Sequence, residues 1–160
     1  MAMRTTVLFG WAALLMMAPA FATTTPRDDH DEFAKQMQGT YTIDKGQRGE
    51  RRLSGDELKG TVKVDKDRFC LLDSEGNELY VVRYKIDEVL NQTAKLSMET
   101  VESKEEDAVG SKGKALATLN PEEGNLTIIY DTEGEEYPDD FTPENDDQHV
   151  FVLKKKDASD

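Results

Sequence analysis

The sequence predicts an all-β protein, an up-and-down antiparallel β-barrel of about eight strands with a short N-terminal helix. Three observations carry that reading. Short segments of alternating apolar and polar residues recur along the chain, separated by Gly, Pro, Asn and Asp clusters at hairpin spacing. Helical spacing of apolar residues, outside the extreme N-terminus, is confined to one short stretch. A run of consecutive hairpins would leave two sheet edges exposed, and closure into a barrel removes them.

The first 22 residues, "MAMRTTVLFGWAALLMMAPAFA", combine one basic residue, Arg4, an apolar run from Val7 to Met17, and Ala20-Phe21-Ala22 before a polar segment. That is the pattern of a signal peptide, with a mature N-terminus at Thr23 and a secreted or periplasmic product. The apolar run is shorter than the roughly 20 residues a membrane span requires, so no membrane span is expected after cleavage. Cleavage removes one Arg and no acid, taking the formal charge from -13 to -14. Such an acidic chain is unsuited to nucleic acid or an anionic membrane surface and favours cationic partners. Its one tryptophan, Trp11, leaves with the signal. Cys70 is the only cysteine, which excludes an internal disulfide; in "DRFCLLD" it reads as a small half-buried strand residue.

The mature chain is one domain in length. Residues 23–32 read as a flexible polar lead-in, 33–156 as the barrel domain and 157–160 as a polar tail. In "EFAKQMQGTYTID", Phe33 and Met37 share a helical face, while Tyr41 and Ile43 have strand spacing. Gly39 sits at the change and serves as the pivot. Ser54 with Glu57 resembles a capping box for one helical turn around 56–59. "TVKV" and "RFCLL", joined through Asp65-Lys66-Asp67, form the next hairpin. "LYVVRYKID" places Tyr80, Val82, Tyr84 and Ile86 inward, and "TAKLSMET" does the same with Ala94, Leu96 and Met98. "VESKEEDAVGSKGK" is polar and reads as a solvent loop. "ALATL" and "NLTIIY" are strands joined by "NPEEG", with Leu126, Ile128 and Tyr130 on one face. Nine acids and no base lie between Asp131 and Asp147, a long acidic loop before the last strand, "HVFVLKKK".

A short helix followed by Gly-x-aromatic at the entry to the first strand, here "GTY", resembles the glycine-x-tryptophan signature of lipocalins, with Tyr41 in the tryptophan position. More closely, the chain resembles a family of exported, uncharacterised lipocalin-like domains common in planctomycete bacteria. The matching pieces are "MQGTYTI", "DELKGTVKVDKDRF", "YKID" followed by "AKLSM", "GNLTIIY", "EYPDDF" and "VFVLKK", in that order across residues 36 to 155. The chain departs from the family at Tyr41, in its longer acidic loop and in the extended "NPEEG" turn. The resemblance implies a lipocalin-like barrel and an export route, and brings no activity with it.

No chemistry of catalysis is legible. There is no Gly-x-Ser-x-Gly elbow, no serine set beside a histidine and no phosphate-binding loop spacing. His30 and His149 are too few for a histidine metal site, and neither "DSEGNE" nor "DTEGEE" follows the calcium-loop pattern. The chain therefore reads as a non-enzymatic protein without metal or cofactor. The ligand-binding candidates are Tyr41, Phe69, Tyr80, Tyr84 and Tyr130, inward on their strands, where an eight-stranded barrel holds one small ligand or is filled by its own side chains. Tyrosine hydroxyls among apolar walls suit a small apolar or amphipathic ligand. The alternative is a protein-protein interaction or inhibitor module that turns its acidic loop or barrel mouth toward a basic protein partner.

Overall fold

The structure, a computed structural model, describes residues 26–157. The signal peptide, the cleavage point before Thr23 and the last three residues of the tail lie outside the described residues. A single α-helix, α1 (Pro26–Met37), precedes strands β1 (Gly39–Arg48), β2 (Arg51–Arg52), β3 (Thr61–Val64), β4 (Arg68–Leu72), β5 (Glu78–Leu90), β6 (Thr93–Ser103), β7 (Lys112–Asn120), β8 (Asn125–Asp131) and β9 (Gln148–Lys155). β2 is a two-residue extension paired with the end of β1. The other eight strands follow one another around the wall, every neighbour antiparallel, and β9 pairs with β1 to close an up-and-down barrel.

Local chemistry accounts for the turns. In the β4–β5 turn the Asp73 carboxylate accepts from the backbone N–H of Glu75 and of Asn77, both at 2.9 Å, the side-chain substitute for a backbone turn that Asp favours. The β5–β6 hairpin has a two-residue loop, and Asn91 takes the left-handed position there at φ 58°. In the short 3-10 turn at Gly55–Leu58, Glu57 reaches back to the Ser54 N–H at 3.4 Å, as the spacing of the two residues predicts.

Three boundaries differ from the sequence reading, one of them the start of β7 at Lys112, inside the polar run read as a loop. The helix starts at Pro26, so residues 26–32 form its first turns and are not a lead-in. Proline is pre-organised for the first helical position, and Asp28 and Asp29 favour the positive end of the helix dipole. β6 runs on to Ser103, into the polar run read as a loop, because a bulge between its pairings with Val81 and Val82 absorbs the break in alternation.

One hydrophobic core runs from the helix into the barrel. Phe33, Ala34 and Met37 pack with Tyr41, Val64, Phe69, Tyr84, Leu96, Ala117 and Leu126, so α1 closes the barrel end at which β1 begins. Met37 and Leu126 are fully buried, as are Ala94 and Ala117, whose small side chains let the helix-capped end draw tight. The core hydroxyls are satisfied: Tyr41 donates to the Met37 carbonyl at 2.7 Å, and Tyr84 to the Asp65 carbonyl at 3.0 Å. Gly39 makes the helix-to-strand pivot at φ 153°, and a Cβ there would come within 2.6 Å of the Lys155 Cε.

Gly39→Val should lower unfolding free energy by about 1–3 kcal/mol, the cost of holding a branched residue at positive φ; urea denaturation checks it. Tyr84→Ala should cost about 3–5 kcal/mol in the same assay, as truncation of a buried aromatic does. Unchanged midpoints would contradict the pivot and the packed end respectively.

Candidate functional site at the open barrel end

The five aromatic candidates divide between the two barrel ends. Tyr41, Phe69 and Tyr84 stand together at the helix-capped end, all buried, with the Phe69 and Tyr84 rings 4.8 Å apart between centroids. Tyr80 and Tyr130 are half-buried toward the opposite end, the one away from α1. Tyr130 packs against the core edge; its ring stacks on Phe151 at 6.1 Å and meets His149 edge-on at 5.3 Å. The His149 Nδ1 lies 3.4 Å from the Tyr130 hydroxyl.

Strand pairing explains this grouping. Directly opposed residues of an antiparallel pair face the same side. Tyr130 is opposite His149 and Ile128 opposite Phe151, so these four share the inner face. On the other side of His149 stands Arg48 of β1. Leu53, buried just after β2, and the Phe151 ring both lie against the face of Gly46. The open end is thus an aromatic floor with a polar rim.

Electrostatics separate the two ends. Burial raises Tyr41 to about 12 and pushes Tyr84 up as well. Burial also raises Tyr130, against a downward pull from Arg48. Tyr80 is raised by burial and then by Glu105. His149 is lowered, first by burial and then by Arg48, although the Asp146 backbone, Asp147 and Asp131 draw it the other way. Its ring is therefore neutral at neutral pH. Cys70 is buried, and desolvation pushes its thiol up, away from nucleophilic use.

The acidic loop is more ordered than its composition suggests. The Tyr137 hydroxyl donates to the Asp87 carboxylate at 2.7 Å, a group that also accepts from the Ser97 hydroxyl. Lys114 donates to the Ser97 hydroxyl at 2.8 Å and stands over the Tyr137 ring at 4.8 Å. At the base of the loop, Asp131 accepts from the Gly134 N–H at 2.6 Å and Gln148 from the Glu144 N–H at 2.8 Å. Residues 132–147 therefore form a strap along the outer wall. Ile129 and Leu116, opposed on β8 and β7, point outward on that side and are nevertheless buried.

Two concavities are best formed at the surface. One, about 440 Å³, lies between the β5–β6 and β7–β8 turns and is lined by Gln92, Thr118, Asn120 and Glu122 among others. The second, about 320 Å³, lies within the strap beside Asp131, Tyr137 and Gln148. Neither is lined by any of the five aromatic candidates. Among the described residues, no group of three or more His, Cys, Asp or Glu side chains is placed to hold a metal ion. The sequence reading missed Arg48, His149 and Phe151. The last two were legible in the alternation of "HVFVL", whereas Arg48 was not, because β1 carries a bulge between Ile43 and Lys45.

No family model matches the chain, and neither a curated protein nor a solved structure does. The closed barrel itself is consistent with a lipocalin-like fold.

A phenol whose folded pKa is raised contributes stability that is complete below its unfolded pKa and is lost as pH rises through the folded one. For Tyr41 that window runs from 10.0 to about 12. Stability should fall across it, and Tyr41→Phe should flatten the fall in denaturant midpoints measured against pH.

Proposed function

We propose that this protein is an exported, non-enzymatic binding protein, related to the lipocalin-like domains of planctomycete bacteria, that takes a small amphipathic ligand in the open end of its barrel. The observation that carries the reading is the unequal treatment of the two ends. At the helix-capped end the inward aromatics are buried, and the two hydroxyls among them, of Tyr41 and Tyr84, are bonded to backbone. At the open end, Tyr80, Tyr130, His149 and Phe151 retain exposed surface beside apolar rings. Aromatic rings with a few converging polar groups are a usual make-up of a small-molecule site. In this reading Tyr80 and Tyr130 touch the ligand, while Tyr41, Phe69 and Tyr84 form the wall beneath it.

The strap supports a second reading, an interaction or inhibitor module. It holds Glu135, Glu136, Asp139 and Asp140 exposed on an anchored backbone, a fixed acidic surface suited to a basic protein partner. Tyr137→Phe would free that anchor, and a partner recognised by the strap would then bind more weakly while ligand uptake stayed the same.

The processed protein should bind the neutral probe Nile red with one-to-one stoichiometry, and Tyr130→Ala should weaken binding by about tenfold, the loss of one buried aromatic contact. Absence of binding by the parent would refute the carrier reading. Export predicts secreted material whose intact mass corresponds to a start at Thr23 and whose absorbance lacks tryptophan; an uncleaved cytoplasmic chain would refute it.

A further inference from the structure

The occupant of the open end can be narrowed by one residue that simple alternation hides. With Tyr41 and Ile43 inward, strict alternation along β1 would turn Lys45 and Gln47 inward too. The bulge between Ile43 and Lys45 shifts the phase, so Gly46 opposes Phe151 and Arg48 opposes His149, both on the inner face. Arg48, His149 and Tyr130 then form one row across β1, β9 and β8.

Tyr80 reaches the same space from the far wall. Arg48 acts electrostatically on Tyr80, Tyr130 and His149, and Tyr80 acts on Tyr130. Around the ring, β3 and β4 separate β1 from β5, and β6 and β7 separate β5 from β8. Side chains on strands so separated meet across the lumen, so these groups converge on a common space.

Arg48 also lacks the partner that its neighbour has. Arg51 is bridged to Glu57 at 2.7 Å, whereas no ion pair engages Arg48 among the described residues. The acid that feels Arg48 is Glu57, whose carboxylate is already committed to Arg51 and the Ser54 N–H, so the Arg48 guanidinium is left unbridged. Three of the seven arginines fall at 48, 51 and 52, so the rim on this side is locally basic in a chain of charge -13. A guanidinium presents a planar fork of donors that matches an oxyanion.

We propose, resting on the ligand-binding reading above, that the occupant is a small amphipathic anion: its carboxylate, sulfonate or similar oxyanion head lies on Arg48 with the Tyr130 hydroxyl donating to it, and its apolar body lies against Phe151 and Leu53. The Tyr130 phenol remains protonated at neutral pH beside the neutral His149 ring, whereas the Tyr80 hydroxyl is already bonded to Glu105 and Ser103. The apolar body has its counterpart in the stacked Tyr130 and Phe151 rings and in buried Leu53. A purely apolar guest would leave the guanidinium without a role, and a cation would be repelled by the arginine.

The test titrates the processed full-length protein with two fluorescent probes, anionic anilinonaphthalene sulfonate and neutral Nile red. Both should bind one-to-one and compete with each other. Arg48→Gln should weaken the sulfonate by about tenfold or more, the worth of a charged hydrogen-bonded contact, and Nile red by less than about twofold. Arg48 is exposed, so the variant should melt with the parent. In the parent, added salt should weaken the sulfonate and spare Nile red, which tests the charge without any substitution. If Arg48→Gln weakens both probes equally or neither, the anion assignment falls and the carrier reading stands. If neither probe binds the parent, both fall.

Discussion

Everything else in this molecule depends on the pairing of the first strand with the last. β1 and β9 are opposed from Tyr41 and Lys155 to Arg48 and His149, joining segments from opposite ends of the domain. Loop-closure entropy grows only slowly with separation, so a contact this distant in sequence is thermodynamically tolerable once the hairpins between have formed. Closure satisfies the backbone donors and acceptors of two strands that would otherwise be edges. It also points every inward face at one axis, which is what turns a series of amphipathic hairpins into a single core.

The closed wall is then finished differently at its two ends. The helix enters before β1, and its Phe33 and Met37 fall on the end where β1 begins. Small residues on β6 and β7 leave room there for Tyr41, Leu96 and Leu126, so that end becomes a dry interior. The other end receives no α-helix; Leu53 packs there against the face of Gly46. Its inward positions carry Arg48, Tyr80, Tyr130 and His149, groups that burial would penalise and that tolerate their position because some solvent still reaches them. Polarity along the barrel axis is thus a direct consequence of where one helix attaches.

The outer wall shows how an acidic segment becomes structure. Nine acids between Asp131 and Asp147 repel one another and would favour an extended chain. The strap is held through Tyr137: its hydroxyl donates to Asp87, Lys114, bonded to Ser97, lies over its ring, and Lys95 stands over the same ring. Its turns are bonded through Asp131 and Gln148 at its base. Those bonds fix the backbone while the remaining carboxylates stay in water, where their charge costs little.

The class and the wall of the barrel were legible along the chain. Alternation in "LYVVRYKID", "AKLSM" and "NLTIIY", and turn residues such as Asn91 and Asp73, are local signals, and hairpins are local structures; each inward residue follows from a period of two. The helix at Phe33 and Met37 and the pivot at Gly39 were legible for the same reason, although its start at Pro26 was masked by polar residues that face solvent. Only the tertiary structure decided which inward aromatics share a space. Tyr80 and Tyr84 lie two apart on one strand face and look equivalent in sequence, yet one stands at the open end and the other in the packed end, because position along the axis depends on the register of closure. Arg48 was hidden more deeply, since one extra residue in β1 reverses the facing of everything after it, and a bulge is recognised only against the partner strand that it fails to match.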